Sequence, residues 1–360
     1  MMKSYKIILS IFIIALISMS IIFGVNAQEK ERSFDWMAQS AWSSGPGHHE
    51  IAEYFAKMIN ELSGGKLNIK NMYASGEIVG AFETIPAVAS GKLDMTHSSG
   101  FYLTGTLPWI SLIIGTQANY IKYPDQHLAW MYEGGGLELY QEYIKTKYDL
   151  IVLPTTIHAS EPLWTTKPIT SKDDFKGLKI RSTGLNMEFY QKLGASVTTM
   201  PMSEVVPSLE RKVLDAAEFC VPYTDYPAGL HKVCPYALVG RIHLPEMFGL
   251  AAFINGDSWR ELPPELQNVI KKAAKLTVLE SFHNWNGVKA MEYSEQMIEE
   301  GLVVNEVSDE LQKWFYEIGE EMATEYAEKD PWAKRILESQ KNFIEKYDKY
   351  QEAISPYFRK

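Results

Sequence analysis

Apolar residues recur at helical spacing through Ile51, Phe55, Met58, Ile59 and Leu62, after a loop holding Gly45, Pro46 and Gly47, and this spacing predicts an amphipathic helix. Gly64-Gly65 follows, where a left-handed cap is wanted. Lys66 to Lys70 then alternates as a half-buried strand does. Upstream, Asp35 to Ala38 reads as a short strand leading to Trp42. A second helix is predicted over about 77–89, stopping near Gly91, with a strand opening at Lys92-Leu93-Asp94-Met95. Strand, helix and strand in succession imply a parallel sheet with helices on its faces.

The same order returns downstream. Gly177 to Arg181 reads as a strand, 186–193 as a helix ended by Gly194, and Ala195 to Thr199 as another strand. Pro201 to Lys212 is then helical, and Val213 to Phe219 forms the next strand. Two α/β lobes built alike, with one cleft between them, are expected. Pro263-Pro264 opens a long helix reaching about Glu300, because the first helical turn tolerates proline. From 308 to 358 the chain is charged and aromatic, as a helix-packing seam is.

The 360 residues exceed what one core usually serves, which favours two lobes. A net charge of −10 and the lack of a basic run set nucleic acid aside. Lys3 and Lys6 precede an apolar stretch, Ile7 to Val25, that closes on Val25-Asn26-Ala27. That pattern predicts a signal peptide cleaved after Ala27; the other reading is an uncleaved anchor. Cleavage removes two lysines, leaving an exported, periplasmic protein at −12. Cys220 and Cys234 then sit where a disulfide is permitted, and the sequence leaves a bond and two free thiols equally open.

Catalytic signatures are missing. His48-His49-Glu50 lacks the His-Glu-x-x-His spacing of a zinc helix and favours a surface or capping role. There is no nucleophile elbow, dinucleotide fingerprint or Cys-x-x-Cys pair. Polar residues at predicted strand ends stand out instead: Arg181 ends one, and Glu218 with Phe219 ends another. Ligands of open α/β sheets bind beyond the carboxyl ends of strands, and a guanidinium clamps a carboxylate with two parallel hydrogen bonds. A plain Arg181–Glu218 ion pair is the structural alternative.

Several linked segments carry a family resemblance. They are Gly76-Glu77-Ile78-Val79 through Gly91-Lys92-Leu93-Asp94-Met95 with His97-Ser98-Ser99-Gly100-Phe101-Tyr102, then Asp174 to Arg181, then Leu214 to Phe219 with Gly229 to Val233. In this order the chain resembles the periplasmic solute-binding subunits of TRAP (tripartite ATP-independent periplasmic) transporters, the DctP-like receptors, over about 34–345. The resemblance implies an α/β, two-lobed periplasmic-binding-protein architecture with a ligand cleft between the lobes and a long helical C-terminal region. It divides the chain into a signal peptide (1–27), a mostly first-lobe segment (28–152), a mostly second-lobe segment (153–255), helices returning to or bridging the lobes (256–330) and a C-terminal tail (331–360) that either exchanges in a homodimer or, in a monomer, folds onto its own lobes.

The nearest subgroup in pattern binds 2-oxo and 2-hydroxy acids. The resemblance implies Arg181 as the carboxylate clamp, with Phe219, Ser160, Phe101, Tyr102 and Trp42 around the substrate. It also implies Na⁺ or Ca²⁺ beside the substrate, held by Glu218, the backbone carbonyl of Phe219, and Ser160 or Glu161. Phe219 stands where the subgroup usually has Trp. Ser160 or Glu161 stands for its Gln, and His243-Leu244-Pro245 lacks an acid common in relatives. No other cofactor and no enzymatic step is implied; the partners are a small organic anion and the membrane permease. Two other functions fit an exported α/β chain: a carboxylate-processing enzyme using Glu218 as base, and a ligand sensor for a membrane signalling protein.

Overall fold

The computed structural model describes residues 33–157, 161–240 and 248–354. The predicted signal peptide lies outside them, and no helix among the described residues is long and apolar enough to cross a membrane. Two sheets form. The first runs Met72–Tyr73, Ala38–Ser40, Met95–Ser99, Leu250–Asn255, Leu150–Pro154. The second runs Val303–Glu306, Tyr236–Val239, Leu163–Thr165, Ala216–Glu218, Lys179–Arg181, Ser196–Thr198.

Each sheet contains one strand antiparallel to both neighbours. In the first it is Leu250–Asn255, between Met95–Ser99 and Leu150–Pro154; in the second it is Leu163–Thr165. Both are the strands by which the chain enters a sheet from the other lobe. Leu250–Asn255, which the sequence boundaries group with the second-lobe segment, pairs in the first sheet, where its six residues are all buried between two neighbouring strands.

The helix His48–Leu62 buries Ile51, Phe55 and Ile59 and ends at Gly64 and Gly65, which take φ of 60° and 79°. The helix expected over 77–89 starts later, as a 3₁₀ turn Ala81–Glu83 and then Thr84–Ala89. Gln39 is the reason: its amide donates to Val79 O (2.7 Å) and accepts from Val79 N (3.0 Å), fixing 74–80 as a turn.

The long helix opens at Pro264 and runs to Glu299, with π-helical turns from Ser281 to Lys289. There Ser281 Oγ accepts from Ile157 N and Asn286 donates to Ile157 O, so the wide turn grips the chain where it leaves the first sheet. Trp285 packs on first-lobe Tyr54 and stacks on second-lobe Tyr223. The helix Asp309–Lys329 sets Phe315 against Phe175 and Phe189 of the second lobe and Tyr326 against Trp109 of the first. The tail, Pro331–Ile354, folds back on the first-lobe helices. Its buried Gln340 donates to Leu112 O and accepts from Tyr120 N. The C-terminal aromatic residues therefore form a packing seam. Cys220 and Cys234 are both free and buried.

Candidate functional site

Strand ends from both sheets face one cleft. In the second sheet, Lys179–Arg181 and Ala216–Glu218 are parallel neighbours with Ala217 opposite Arg181, so Arg181 and Glu218 finish side by side. In the first, the ends of Ala38–Ser40 and Met95–Ser99 release Trp42, Phe101 and Tyr102 into the same space. Together with Glu161 and Phe219, these residues line a void of about 30 Å³. Each proposed site residue that the structure describes therefore meets at one point; Ser160 and His243 lie outside the described residues.

Arg181 is only 3% exposed. Its Nε and Nη2 donate to Met200 O (3.2 and 3.1 Å), and its Nη1 donates to the main-chain carbonyl of Glu218 (2.8 Å). A guanidinium carries five N–H groups, so one remains on each terminal nitrogen for a further acceptor. The simple ion pair with Glu218 gives way to this arrangement: the Glu218 carboxylate instead accepts from Ser182 Oγ and from Asn186 Nδ2. The guanidinium is thus aimed by backbone carbonyls, which neutralise none of its charge.

Two buried carboxylates, Glu161 and Glu218, share the void with it. Asp225 lies behind, receiving Trp164 Nε1–H at 2.9 Å, and burial pushes its carboxyl well above the usual range. Glu161 and Glu218 bring carboxylate oxygens to the void, hard donors of the kind that suits Na⁺ or Ca²⁺ better than a soft metal. No group of three or more His, Cys, Asp or Glu among the described residues could hold a metal by side chains alone. Any cation here would need carbonyl or ligand oxygens as well.

Sequence reasoning misjudged His48 and His49, which are buried rather than superficial. The first turn of their helix is inserted between the lobes: His48 Nε2 lies 3.0 Å from Cys220 Sγ and its ring meets Trp42 edge-on, while His49 Nδ1 bonds Ser40 Oγ. Met202, Thr183 and Leu250 also line the void and had no separate signal in the sequence. The one available hint was the position of His48, just after a Gly-Pro-Gly loop.

Trp42 is held by a defined chain of donors. Its Nε1–H donates to His97 Nδ1 (2.8 Å), so the other ring nitrogen carries the proton toward Thr155 Oγ1 (2.9 Å). Burial, with His49 nearby, lowers His97 to about 3. Between that value and the unfolded value of about 6.5 the unfolded chain binds the extra proton. Stability from His97 is therefore complete above about pH 6.5 and falls as pH drops toward about 3. From pH 7.5 to 5 we expect a loss of about 2 kcal/mol from this group. Asp225 acts in the opposite sense, so the measurement is the difference in ligand-free melting between wild type and His97→Gln over that range. Parallel pH profiles would contradict the assignment.

The family model of bacterial extracellular solute-binding protein family 7 (DctP) matches residues 37–330. The chain is 30% identical over 312 residues to the monocarboxylate 2-oxoacid-binding periplasmic protein of Nostoc sp., covering 86% of this chain and 83% of that protein. Among solved structures it is similar to a TRAP solute-binding protein of Bordetella bronchiseptica (TM-score 0.81, 25% identity, 90% of this chain and 96% of that one), a mixed-occupancy dimer with copurified calcium and picolinate. It is also similar to one of Colwellia psychrerythraea with bound calcium and pyruvate (TM-score 0.80, 26% identity, 90% and 98%).

Proposed function

The chain belongs to the DctP family, family 7 of the bacterial extracellular solute-binding proteins, and from that premise we propose that it captures a small 2-oxo or 2-hydroxy monocarboxylate for a TRAP-type permease. The observation that carries this reading is Arg181: buried, aimed by two main-chain carbonyls, and left with one N–H on each terminal nitrogen. Those two N–H groups suit a carboxylate taken bidentately. Phe101, Tyr102, Trp42 and Phe219 would enclose the body of the acid, and Ser160 belongs to the same proposed set. The family relationship, with the Nostoc relative's name, supports the substrate class.

Glu218, the Phe219 carbonyl and Glu161 or Ser160 would hold Na⁺ or Ca²⁺, in keeping with the calcium in both structural relatives. Such a cation offsets the buried carboxylates and draws in the anionic ligand. Hinge closure around a ligand needs no chemical step, and Glu218, the base of an enzymatic alternative, already has both oxygens accepting hydrogen bonds. Export by a signal peptide cleaved after Ala27 fits the extracytoplasmic family. A homodimer would form by exchange of the tail 331–360, which follows an extended Asp330.

The test is the melting temperature of exported protein, stripped of ligand by refolding, against small organic acids with Na⁺, Ca²⁺ or chelator. A ligand at 100 times its Kd stabilises by about 2.7 kcal/mol, worth a few degrees. Glu218→Gln should remove the cation's contribution and leave a weaker, cation-independent shift. If no 2-oxo or 2-hydroxy acid moves the melt, the receptor reading fails; turnover of a bound acid would favour the enzyme.

A further inference from the structure

The two oxygens of the Glu218 carboxylate are held from different directions. One accepts from Ser182 Oγ, the residue that follows Arg181 at its strand end. The other, Oε1, accepts from Asn186 Nδ2 at 3.1 Å. Asn186 opens the helix Asn186–Lys192, and its Oδ1 accepts in turn from Thr116 Oγ1 at 2.9 Å. Thr116 belongs to the other lobe. It follows the helix Ile110–Ile114, which packs on the first-lobe segments Gly100–Leu103 and Gly136–Lys145. Beside Asn186, Leu185 N donates to Ser111 Oγ of the same first-lobe stretch at 3.2 Å. Thr116, Asn186 and Glu218 are all buried, and neither Thr116 nor Asn186 lines the void at Arg181.

We infer that Asn186 is a positioning residue for the cation: it sets the Glu218 carboxylate from the first lobe, through Thr116, so that cation binding in the second lobe and contact between the lobes strengthen one another. This role rests on the cation reading of Glu218 and deepens it. A carboxylate that holds a cation is ionised and only accepts hydrogen bonds. The amide must therefore turn its Nδ2 to Glu218, which leaves Oδ1 facing the Thr116 hydroxyl, as observed. Without the Thr116 donor the amide is free to swing, and Oε1 loses its fixed setting. In a buried chain of hydrogen bonds each link also polarises the next, so a hydroxyl on Oδ1 makes Nδ2 a stronger donor to Glu218. Coupling between sites is reciprocal. Whatever the Thr116 bond contributes to holding the cation, the cation returns to the bond between the lobes.

The test is calorimetric titration of ligand-stripped exported protein with CaCl₂ and with NaCl, each alone and with excess pyruvate. Asn186→Leu should weaken cation binding by about 10–100-fold, the usual cost of losing a partner behind a metal ligand. Thr116→Val, one bond further away, should weaken it by about 3–10-fold, the scale of one hydrogen bond. Thr116→Ser keeps the hydroxyl and should restore the affinity. In chelator, pyruvate affinity of Thr116→Val should fall by less than its cation affinity, because Arg181 is aimed by the carbonyls of Met200 and Glu218 and not by Asn186; a general disturbance of the fold would lower both alike. The two Thr116 variants carry the test if Asn186→Leu folds poorly. Wild-type cation affinity in Thr116→Val, or a loss in Thr116→Ser equal to that in Thr116→Val, overturns the inference and leaves the cation reading standing. A wild type that binds neither cation, alone or with pyruvate, removes the cation reading and this role with it, while pyruvate binding in chelator would keep the receptor reading.

Discussion

Arg181→Ala is expected to reduce acid affinity by at least about 30-fold. Truncating one partner of a buried, hydrogen-bonded charge pair costs about 2–5 kcal/mol, and each 1.4 kcal/mol is about tenfold in Kd. The change also strips donors from Met200 O and Glu218 O, and buried acceptors left unmade cost about 1–3 kcal/mol each. Ligand-free protein should therefore melt lower as well. Arg181→Lys keeps the charge but cannot reach two backbone carbonyls and a carboxylate together, because an ammonium lacks the planar fork. Its affinity should fall between wild type and alanine. Titrating all three proteins with one acid checks the order, and an alanine variant that binds like wild type would remove Arg181 from the site.

The second large effect is expected at Gly184, just beyond the Arg181 strand. Its φ is +61°, and a Cβ there would sit inside van der Waals contact of Phe101 Cδ1 and 2.7 Å from Ser111 Oγ. Ser111 Oγ also accepts from Leu185 N, so the hydroxyl is not free to withdraw. Gly184→Ala should cost about 1–2 kcal/mol for the left-handed backbone and about 1–3 kcal/mol for overpacking. The ring that must yield is a wall of the Arg181 void, which has no spare room. Acid affinity should fall with stability, by about tenfold or more at 1.4 kcal/mol per decade. Chemical denaturation and titration of the variant read the two effects separately, and unchanged affinity in a folded protein would sink the argument.

Much of this was legible from residues alone. Arg181 and Glu218 could be placed at neighbouring strand ends because glycines and helix periods bracket both strands, and the parallel register then brings them together. The start of the helix after Gly76 was not legible, since a side chain 40 positions upstream, Gln39, decides it through Val79. His48 was misjudged for a similar reason: besides first-lobe Trp42 it packs on second-lobe Cys220, a contact that exists only once both lobes are assembled. The Leu250–Asn255 strand has a clear apolar run, yet nothing local says which sheet it joins. Local pattern specified elements and their ends; partners across the cleft required the whole fold.

The interior position of Leu250–Asn255 in the first sheet has a further consequence. Neither lobe is a contiguous stretch of chain: the first-lobe sheet stays incomplete until a strand some 95 residues beyond Leu150–Pro154 has been made. A truncation near 152, or a chimera joined at that point, would split the sheet down an unpaired interior edge instead of separating two modules. Exchange of the cleft's far wall between relatives therefore calls for two junctions, one after Leu150–Pro154 and one before Leu250–Asn255, and not a single crossover.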